Sequence, residues 1–315
     1  MLQRSGNDEI HRAALAANGL MDCCATAVSV LLAKARLAAG DIGAVALHGQ
    51  TIRHRPDLGY TVQLANPARL AEQTGITVVA DFRSRDIAAG GQGAPLVPAF
   101  HAVIFGAPGE HRAVINIGGI ANVTDLPGNG AVLGFDTGPG NTLIDAWCER
   151  HKGIPFDPDG SWAASGSTIA ELLTELESDA YFALPPPKST GREYFNLAWL
   201  EPHLKAAYTP VDVQRTLVAL TARTIGEAVT RYSAGATEIL VCGGGANNSI
   251  LLRDLGSALA PRRVRTTASF GVPVTEVEAL AFAWLAREAL AGRGGNLPSV
   301  TGARGPRVLG AIYRA

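Results

Sequence analysis

One carboxylate lies in a glycine-rich, apolar run, where a charged side chain has little structural use. Asp136 occurs in GFDTGPGN, residues 134–141. Partial removal from water raises the pKa of a carboxyl group and makes the carboxylate a better base, as the activation of a hydroxyl or a water requires. The sequence therefore predicts catalysis by Asp136, and a cap on a helix starting near Asn141 is the structural alternative.

Three glycine-rich turns each follow a strand-like run and lie next to Asn or Thr. Glycine in such a turn lets the backbone approach a phosphate closely. None of the three matches a dinucleotide-binding fingerprint or a P-loop. Any one of them could be a plain tight turn, but three in one chain favour nucleotide binding. They contain Gly118 and Gly119, Gly138 and Gly140, and Gly243 with Gly244 and Gly245.

Two further segments are dense in hydrogen-bonding groups. HGQTIRHRP contains His48 and Gln50, and ADFRSRD contains Arg85 beside Asp86. A guanidinium fork could bind a ligand that carries a carboxylate. The alternatives are a core histidine with satisfied hydrogen bonds and an internal ion pair between Arg and Asp.

Glu278 opens the predicted helix VEALAFAWLAREAL. Its carboxylate would stabilise the helix start through the dipole, or it would orient a substrate or a magnesium-bound water. The sequence leaves both roles open.

The elements that must position these residues alternate between strands and helices. We predict a helix over residues 13–37, strands at Ala44–Leu47 and Thr77–Ala80, and a strand, glycine turn and helix from Glu238 onward. Polar residues follow the strands, and ligands bind at that edge of an open α/β sheet. The length of 315 residues favours two lobes. With a boundary in the glycine-rich stretch 106–110, they would be an N-terminal lobe, 1–110, and a C-terminal lobe, 111–315.

The composition of the chain limits the classes of partner that the protein could bind. A net charge of -1 argues against a nucleic-acid surface. The four cysteines fit neither a disulfide framework nor a zinc site. We see no apolar run approaching the roughly 20 residues of a membrane helix. We therefore expect a cytoplasmic protein with a small-molecule partner and with no nucleic-acid or membrane partner.

Taken together, six motifs resemble the anhydro-N-acetylmuramic acid kinase family over nearly the whole chain, in the order of that family. They are HGQT at 48–51, DFRSRDIAAGGQGAPLVP at 81–98, NIGGIANVT at 116–124, GFDTGPGN at 134–141, CGGGANN at 242–248 and VEALAFAWLA at 277–286.

The resemblance implies an α/β fold of two RNase-H-like lobes, as in actin and hexokinase, with ATP and sugar in the cleft between them. It also implies a reaction that hydrolyses the 1,6-anhydro bond of the sugar and transfers the γ-phosphoryl group of ATP to O6. The product would be N-acetylmuramic acid 6-phosphate, in the recycling of cell-wall peptidoglycan.

By the same resemblance, Asp136 looks like the general base that activates water. Arg85, His48, Gln50 and Glu278 would bind the sugar, and Mg²⁺ would bridge the phosphates of ATP. The second phosphate-binding turn would comprise Gly118, Gly119 and Asn122, and the adenosine turn would comprise Gly243, Gly244, Gly245 and Asn247.

The resemblance fails at the start of the chain. Members of the family begin with a strand, a phosphate loop of the form SGTSxDGxD and a second strand, and nothing like it precedes Gln3–Arg12. We therefore expect an incomplete first lobe. The alternatives to an active kinase are a truncated, weak or inactive sugar-binding or regulatory homologue and an actin-like scaffold or chaperone ATPase. A homodimer is left open.

Overall fold

The computed structural model describes residues 7–315. They divide into two compact units, one comprising the described residues up to Phe100 with Glu278–Ala315 and the other comprising His101–Val277. The units differ from the predicted lobes, 1–110 and 111–315, in two ways: the first segment ends at Phe100, and the first unit also contains Glu278–Ala315. The expected lack of a phosphate loop ahead of Gln3 lies outside the described residues.

Strands and helices alternate along most of the chain. The strands are β1 (Val45–Leu47), β2 (Gln50–Arg55), β3 (Tyr60–Leu64), β4 (Val78–Ala80), β5 (Arg112–Ile117), β6 (Ile120–Leu126), β7 (Leu133–Pro139), β8 (Glu238–Cys242), β9 (Arg263–Thr266) and β10 (Ala311–Tyr313). The helices are α1 (Glu9–Ala35), α2 (Pro67–Thr74), α3 (Ser84–Ala88), α4 (Val97–Phe105), α5 (Thr142–Lys152), α6 (Ser161–Ala164), α7 (Ala170–Glu177), α8 (Ala180–Ala183), α9 (Leu197–Leu200), α10 (Pro210–Tyr232), α11 (Ser249–Leu259), α12 (Val277–Leu290) and α13 (Pro298–Thr301).

The first unit is built on the short central strand β4. It pairs in parallel with β1 and antiparallel with β10, while β2 and β3 form a separate hairpin. Successive residues of a strand point to opposite faces of its sheet. Accordingly, Val79 packs in one apolar cluster with Phe282 of α12, and Val78 packs in another with Met21 of α1. The sheet is therefore covered on both faces.

Helix α1 is long and apolar enough to cross a membrane, judged by length and composition. The expectation that no segment would reach this length was therefore wrong. One such helix near the start of a chain is weak evidence for a membrane span. In the first unit, Asp22 of α1 accepts hydrogen bonds from Arg69 and Gln73 of α2 at 2.8 Å and 2.7 Å. Helix α1 therefore packs against α2.

The second unit contains a five-stranded sheet in the order β7-β6-β5-β8-β9. Strands β5, β6 and β7 form an antiparallel meander, and β8 and β9 add in parallel beside β5. This is the strand order of an RNase-H-like lobe, so the predicted α/β class is confirmed.

Helix α10 forms much of the core of the second unit. Its apolar face includes Val218, Ala222, Ile225 and Val229, which recur at spacings of four and three, and all four are buried. Fully burying a side chain such as Val or Ile contributes about 1.5–3 kcal/mol. Helix α10 thereby stabilises the sheet against which it packs.

A bulge interrupts the pairing of β6 with β7. Ala121 pairs with Gly138 and Asn122 pairs with Asp136, so Thr137 is an extra residue on β7. Its hydroxyl donates to the carbonyl of Ala121 at 3.2 Å. Bulges redirect neighbouring side chains and are common beside active sites. This one lies directly beside Asp136.

Candidate functional site

The carboxylate of Asp136 is held through one of its two oxygens. Oδ2 accepts hydrogen bonds from the hydroxyl of Ser189 at 2.9 Å and from the backbone N–H of Thr190 at 3.1 Å. The N-cap of α5 is Asn141. The helix-cap alternative for Asp136 is therefore wrong, and its side chain has a different task.

Burial raises the pKa of Asp136, and the hydrogen bonds from Thr190 and Ser189 partly oppose that rise. The direction is the one predicted from the glycine-rich, apolar setting. A carboxylate whose pKa is raised in this way is more basic than an exposed one.

The predicted phosphate turn lies at the end of the β5–β6 hairpin, against the start of α5. The carbonyl of Gly118 accepts from the N–H of Asn141 at 2.8 Å, and that of Gly119 accepts from the N–H of Gly140 at 2.9 Å. A Cβ at Gly140 would lie 2.4 Å from the Gly118 carbonyl oxygen. Only glycine fits at position 140, and its lack of a side chain lets the turn at 118–119 contact the start of α5.

The predicted adenosine turn follows β8 and contacts the end of β5, next to the predicted phosphate turn. A Cβ at Gly243 would lie 2.6 Å from the carbonyl oxygen of Ile117, and one at Gly245 would lie 2.4 Å from the Ile117 side chain. Gly244 is open, with Nδ2 of Asn141 3.6 Å away as the nearest atom. Asn141 thus lies between the two turns.

Two residues of the predicted motifs occupy different positions from those expected. Gly138 lies within β7 and faces the ring of Phe182, so the expected turn there begins only at Gly140. Asn122 lies within β6, paired with Asn116 on one side and Asp136 on the other. It is therefore a neighbour of the carboxylate and lies outside the turn.

A cavity of about 280 Å³ opens beside the adenosine turn. One wall carries Asp145 of α5, whose pKa is raised to about 6, chiefly by burial and also by Asp157, against the opposing effect of Arg192. Polar groups in a concave site of this size can orient a small ligand. The cavity is lined by Asn141, Ile144, Asp145, Phe156, Asp157, Asp159, Gly244, Asn247 and Asn248.

An exposed arginine lies against the phosphate turn. A Cβ at Gly119 would be 2.8 Å from both Nε and Nη2 of Arg192. Among the described residues, no carboxylate lies within ion-pair distance of this guanidinium. Sequence reasoning missed Arg192, as it missed Ser189 and Asp145. The polar run KSTGRE at 188–193, directly after three prolines, was the available signal.

The predicted sugar-binding residues lie in the first unit, around Arg83. Its guanidinium donates to Nε2 of His48 at 2.8 Å, while Nδ1 of His48 lies 2.6 Å from the carbonyl of Gly49. Burial and the charge of Arg83 lower the pKa of His48, and Glu278 acts in the opposite direction. Both ring nitrogens of His48 are thus hydrogen-bonded, and the lowered pKa favours the neutral form of the ring.

The other predicted sugar residues are exposed in the same unit. Glu278 lies in the first turn of α12 and Gln50 at the start of β2. Arg85 lies on α3, and the expected alternative of an ion pair with Asp86 is wrong, because Asp86 is buried and bonded to Asn296 and Thr301. Among residues 7–315, the Arg85 guanidinium has no hydrogen-bond or ion-pair partner.

Within residues 7–315, no group of three or more His, Cys, Asp or Glu side chains gathers in an arrangement that could hold a metal ion. A magnesium ion that arrives with a nucleotide requires only one or two protein carboxylates, since phosphates and waters supply the rest of its ligands.

An RNase-H-like sheet whose glycine turns meet at one edge is typical of actin-like ATPases and sugar kinases. The family model described as anhydro-N-acetylmuramic acid kinase matches residues 1–315. The chain belongs to the anhydro-N-acetylmuramic acid kinase family. It is thus an enzyme of the kinase class, and membership implies ATP and a sugar as its substrates.

Two relatives carry the same name. The protein of Cupriavidus pinatubonensis is 56% identical over 99% of this chain and 86% of its own length. That of Bordetella pertussis is 58% identical over 100% of this chain and 84% of its own length. Nothing in these matches favours an inactive homologue.

A solved structure, the activator of 2-hydroxyisocaproyl-CoA dehydratase from Clostridium difficile with bound ADPNP, is similar at a TM-score of 0.43 and 18% identity. It covers 74% of this chain and 87% of its own. At this level of similarity, the match supports no conclusion about the fold or the function of this chain.

Proposed function

We propose that this chain converts anhydro-N-acetylmuramic acid, ATP and water to N-acetylmuramic acid 6-phosphate and ADP. The observation that carries the proposal is the carboxylate of Asp136. It is half-buried, held through Oδ2 alone, and located on the strand beside two facing glycine turns.

In this reaction Oδ1 of Asp136 takes a proton from a water whose oxygen forms a bond to C1 of the sugar. The bond between C1 and O6 breaks, and its electron pair remains on O6. O6 then accepts the γ-phosphoryl group as the bond to the β-phosphate oxygen breaks, releasing ADP. General-base catalysis of this kind typically contributes ~10²–10⁴-fold to the rate.

We assign the nucleotide to the second unit. The backbone of Gly118 and Gly119 would contact the phosphates, and the exposed Arg192 would supply a positive charge at that turn. The adenosine would contact Gly243, Gly244, Gly245 and Asn247, two of which line the cavity. Mg²⁺ bound to the phosphates would neutralise the charge that develops during transfer.

We assign recognition of the sugar to the first unit. Arg85 would bind the lactyl carboxylate, because its exposed guanidinium has no other partner among the described residues. Gln50 and Glu278 would bind hydroxyl or amide groups, and His48 would act by holding Arg83 in place. The protein would act in the cytoplasm, in the recycling of peptidoglycan. Dimer formation stays a prediction.

Replacement of Asp136 by Asn tests the proposal. We expect Asp136→Asn to lower sugar-dependent release of ADP by ~10²–10⁴-fold with ATP affinity within about twofold of the unaltered chain, because the amide keeps the shape and loses the basic oxygen. A coupled ADP assay measures the first quantity and a nucleotide titration the second.

The matched control is Asp57→Asn, which removes an exposed carboxylate that pairs with Arg55. It should leave turnover unchanged. Near-normal turnover of Asp136→Asn would show that another group is the base. No sugar-dependent ADP from the unaltered chain, in conditions where a relative of the same family turns over, would overturn the proposal itself.

A further inference from the structure

We propose that Ser189 is a positioning residue that holds the plane of the Asp136 carboxylate in one orientation, so that the oxygen without a donor faces the substrate water. The inference rests on the proposed function of Asp136 and adds a specific residue to it. Ser189 itself touches no reacting atom.

The hydrogen bonds to Asp136 are unevenly distributed. Both donors, the Ser189 hydroxyl and the Thr190 N–H, bind Oδ2, at 2.9 Å and 3.1 Å. Among the described residues, Oδ1 has no hydrogen-bond donor. The torsion that turns a carboxylate is broad, so the carboxylate plane of an unheld Asp would take a wide range of orientations. Two donors on the same oxygen remove that freedom.

The segment that carries Ser189 is itself fixed to the strand of Asp136. The backbone N–H of Asp136 donates to the carbonyl of Lys188 at 3.2 Å. The ammonium of Lys188 donates to the carbonyls of Tyr181 and Phe182 at 3.1 Å and 3.3 Å. The hydroxyl of Tyr181 donates to the backbone carbonyl of Asp136 at 2.8 Å. The loop therefore holds its donors at a defined place.

These contacts also set the electrostatics of the base. Donation to an ionised carboxylate favours the ionised form, so Ser189 and Thr190 lower the pKa of Asp136 against the rise caused by burial. The titratable groups facing Asp136 from α8 and the loop are Tyr181 and Lys188, and β6 presents the uncharged Asn122. Loss of the hydroxyl should therefore move the titration of Asp136 to higher pH.

The test is the pH dependence of kcat for Ser189→Ala and Ser189→Thr. We expect Ser189→Ala to lower the plateau value of kcat about 10-fold and to shift the acidic limb to higher pH, with KM for sugar and ATP within about twofold. Ser189→Thr keeps a hydroxyl and should restore both the plateau and the limb. The matched control, Ser178→Ala, removes an exposed hydroxyl that donates to the Glu175 carbonyl and should change neither.

Three results would overturn the inference: an unchanged profile for Ser189→Ala, a fall in kcat without a shift of the acidic limb, or a threonine variant no better than alanine. If Asp136→Asn were active, the base itself would be misassigned. If Asp136→Asn were inactive and Ser189→Ala normal, only the positioning role would fail. Thermal unfolding of each variant separates these results from loss of the fold.

Discussion

Asp145 and Asp212 are carboxylates of the second unit in opposite electrostatic settings. Burial raises the pKa of Asp145 to about 6, whereas hydrogen bonds from the Ser167 N–H and the Thr209 hydroxyl lower the pKa of Asp212. A raised pKa in the folded state means that folding favours the protonated form, so the contribution of Asp145 to stability falls as pH rises from about 4 to about 6.

We therefore predict that Asp145→Asn raises the Tm of the nucleotide-free chain at pH 8 by roughly 2 °C, because a neutral amide avoids the cost of the buried charge. The difference should shrink as pH approaches about 4. Asp212→Asn, the control of opposite sign, should lower Tm at pH 8 and lose its effect as the pH falls through the depressed pKa. Scanning calorimetry over this pH range measures both, and a pH-independent effect of Asp145→Asn would contradict this assignment.

At the scale of single residues, Asp136 could be predicted from the sequence because its neighbours are glycines and apolar residues. Ser189 and Arg192 could not be placed, although KSTGRE is polar enough to notice. They lie more than 50 residues along the chain from the groups that they contact. Only the folding of residues 180–196 brings them to the site, and no local pattern encodes that fold.

At the scale of elements, the turn after β8 contains neighbouring glycines that differ in their surroundings. Gly243 has a φ of 84°, and a Cβ there would collide with backbone. Gly244 has open space on the side of the cavity. The turn thus combines a position where glycine is needed for the fold with one where a side chain would enter the proposed nucleotide site.

We predict that Gly243→Ala lowers the free energy of unfolding by about 2–4 kcal/mol, through backbone strain and overpacking. Gly244→Ala should change it by less than about 1 kcal/mol and should instead weaken ATP binding about 10-fold, since the methyl group occupies ligand space. Denaturant unfolding and a nucleotide titration separate the two effects. Equal destabilisation by both variants would argue against this division of roles.

Elements with strong local signals were predictable. The strands near residues 45, 78, 113 and 239 are apolar runs that end at polar residues or glycine, and α10 has a clear helical period. The β6–β7 bulge was not predictable, because pairing register depends on the partner strand. Nor was the position of Gly138, since a glycine in a strand and one in a turn look alike in the sequence.

At the scale of the molecule, a buried carboxylate joins the N-terminal and C-terminal segments of the first unit through hydrogen bonds. Asp86 accepts hydrogen bonds from Asn296 at 2.6 Å, from Thr301 at 2.7 Å and from the Gly93 N–H at 2.8 Å. Strand β10 adds to β4 in the same unit. The sequence could not reveal this return, because β10 is only three residues long and the contacts are polar and isolated.

We predict that Asp86→Ala lowers the free energy of unfolding by about 3 kcal/mol, because it removes a buried carboxylate that accepts three hydrogen bonds. Hydrogen exchange should show lost protection at residues 84–93 and 296–304, with β5 and β6 of the second unit unchanged. Asp57→Ala, at an exposed ion pair, is the control. Loss of protection spread evenly over both units would contradict the division of the chain described above.

The proposed reaction opens the anhydro ring with water and phosphorylates the same sugar on one chain. Its most direct test is turnover with ATP and anhydro-N-acetylmuramic acid in ¹⁸O-labelled water, followed by mass spectrometry of the product. We predict one sugar phosphate per ADP, with a single ¹⁸O at C1 and the phosphate on O6, and with both lost in Asp136→Asn. A phosphorylated product with an intact anhydro ring, or without the label, would contradict the account.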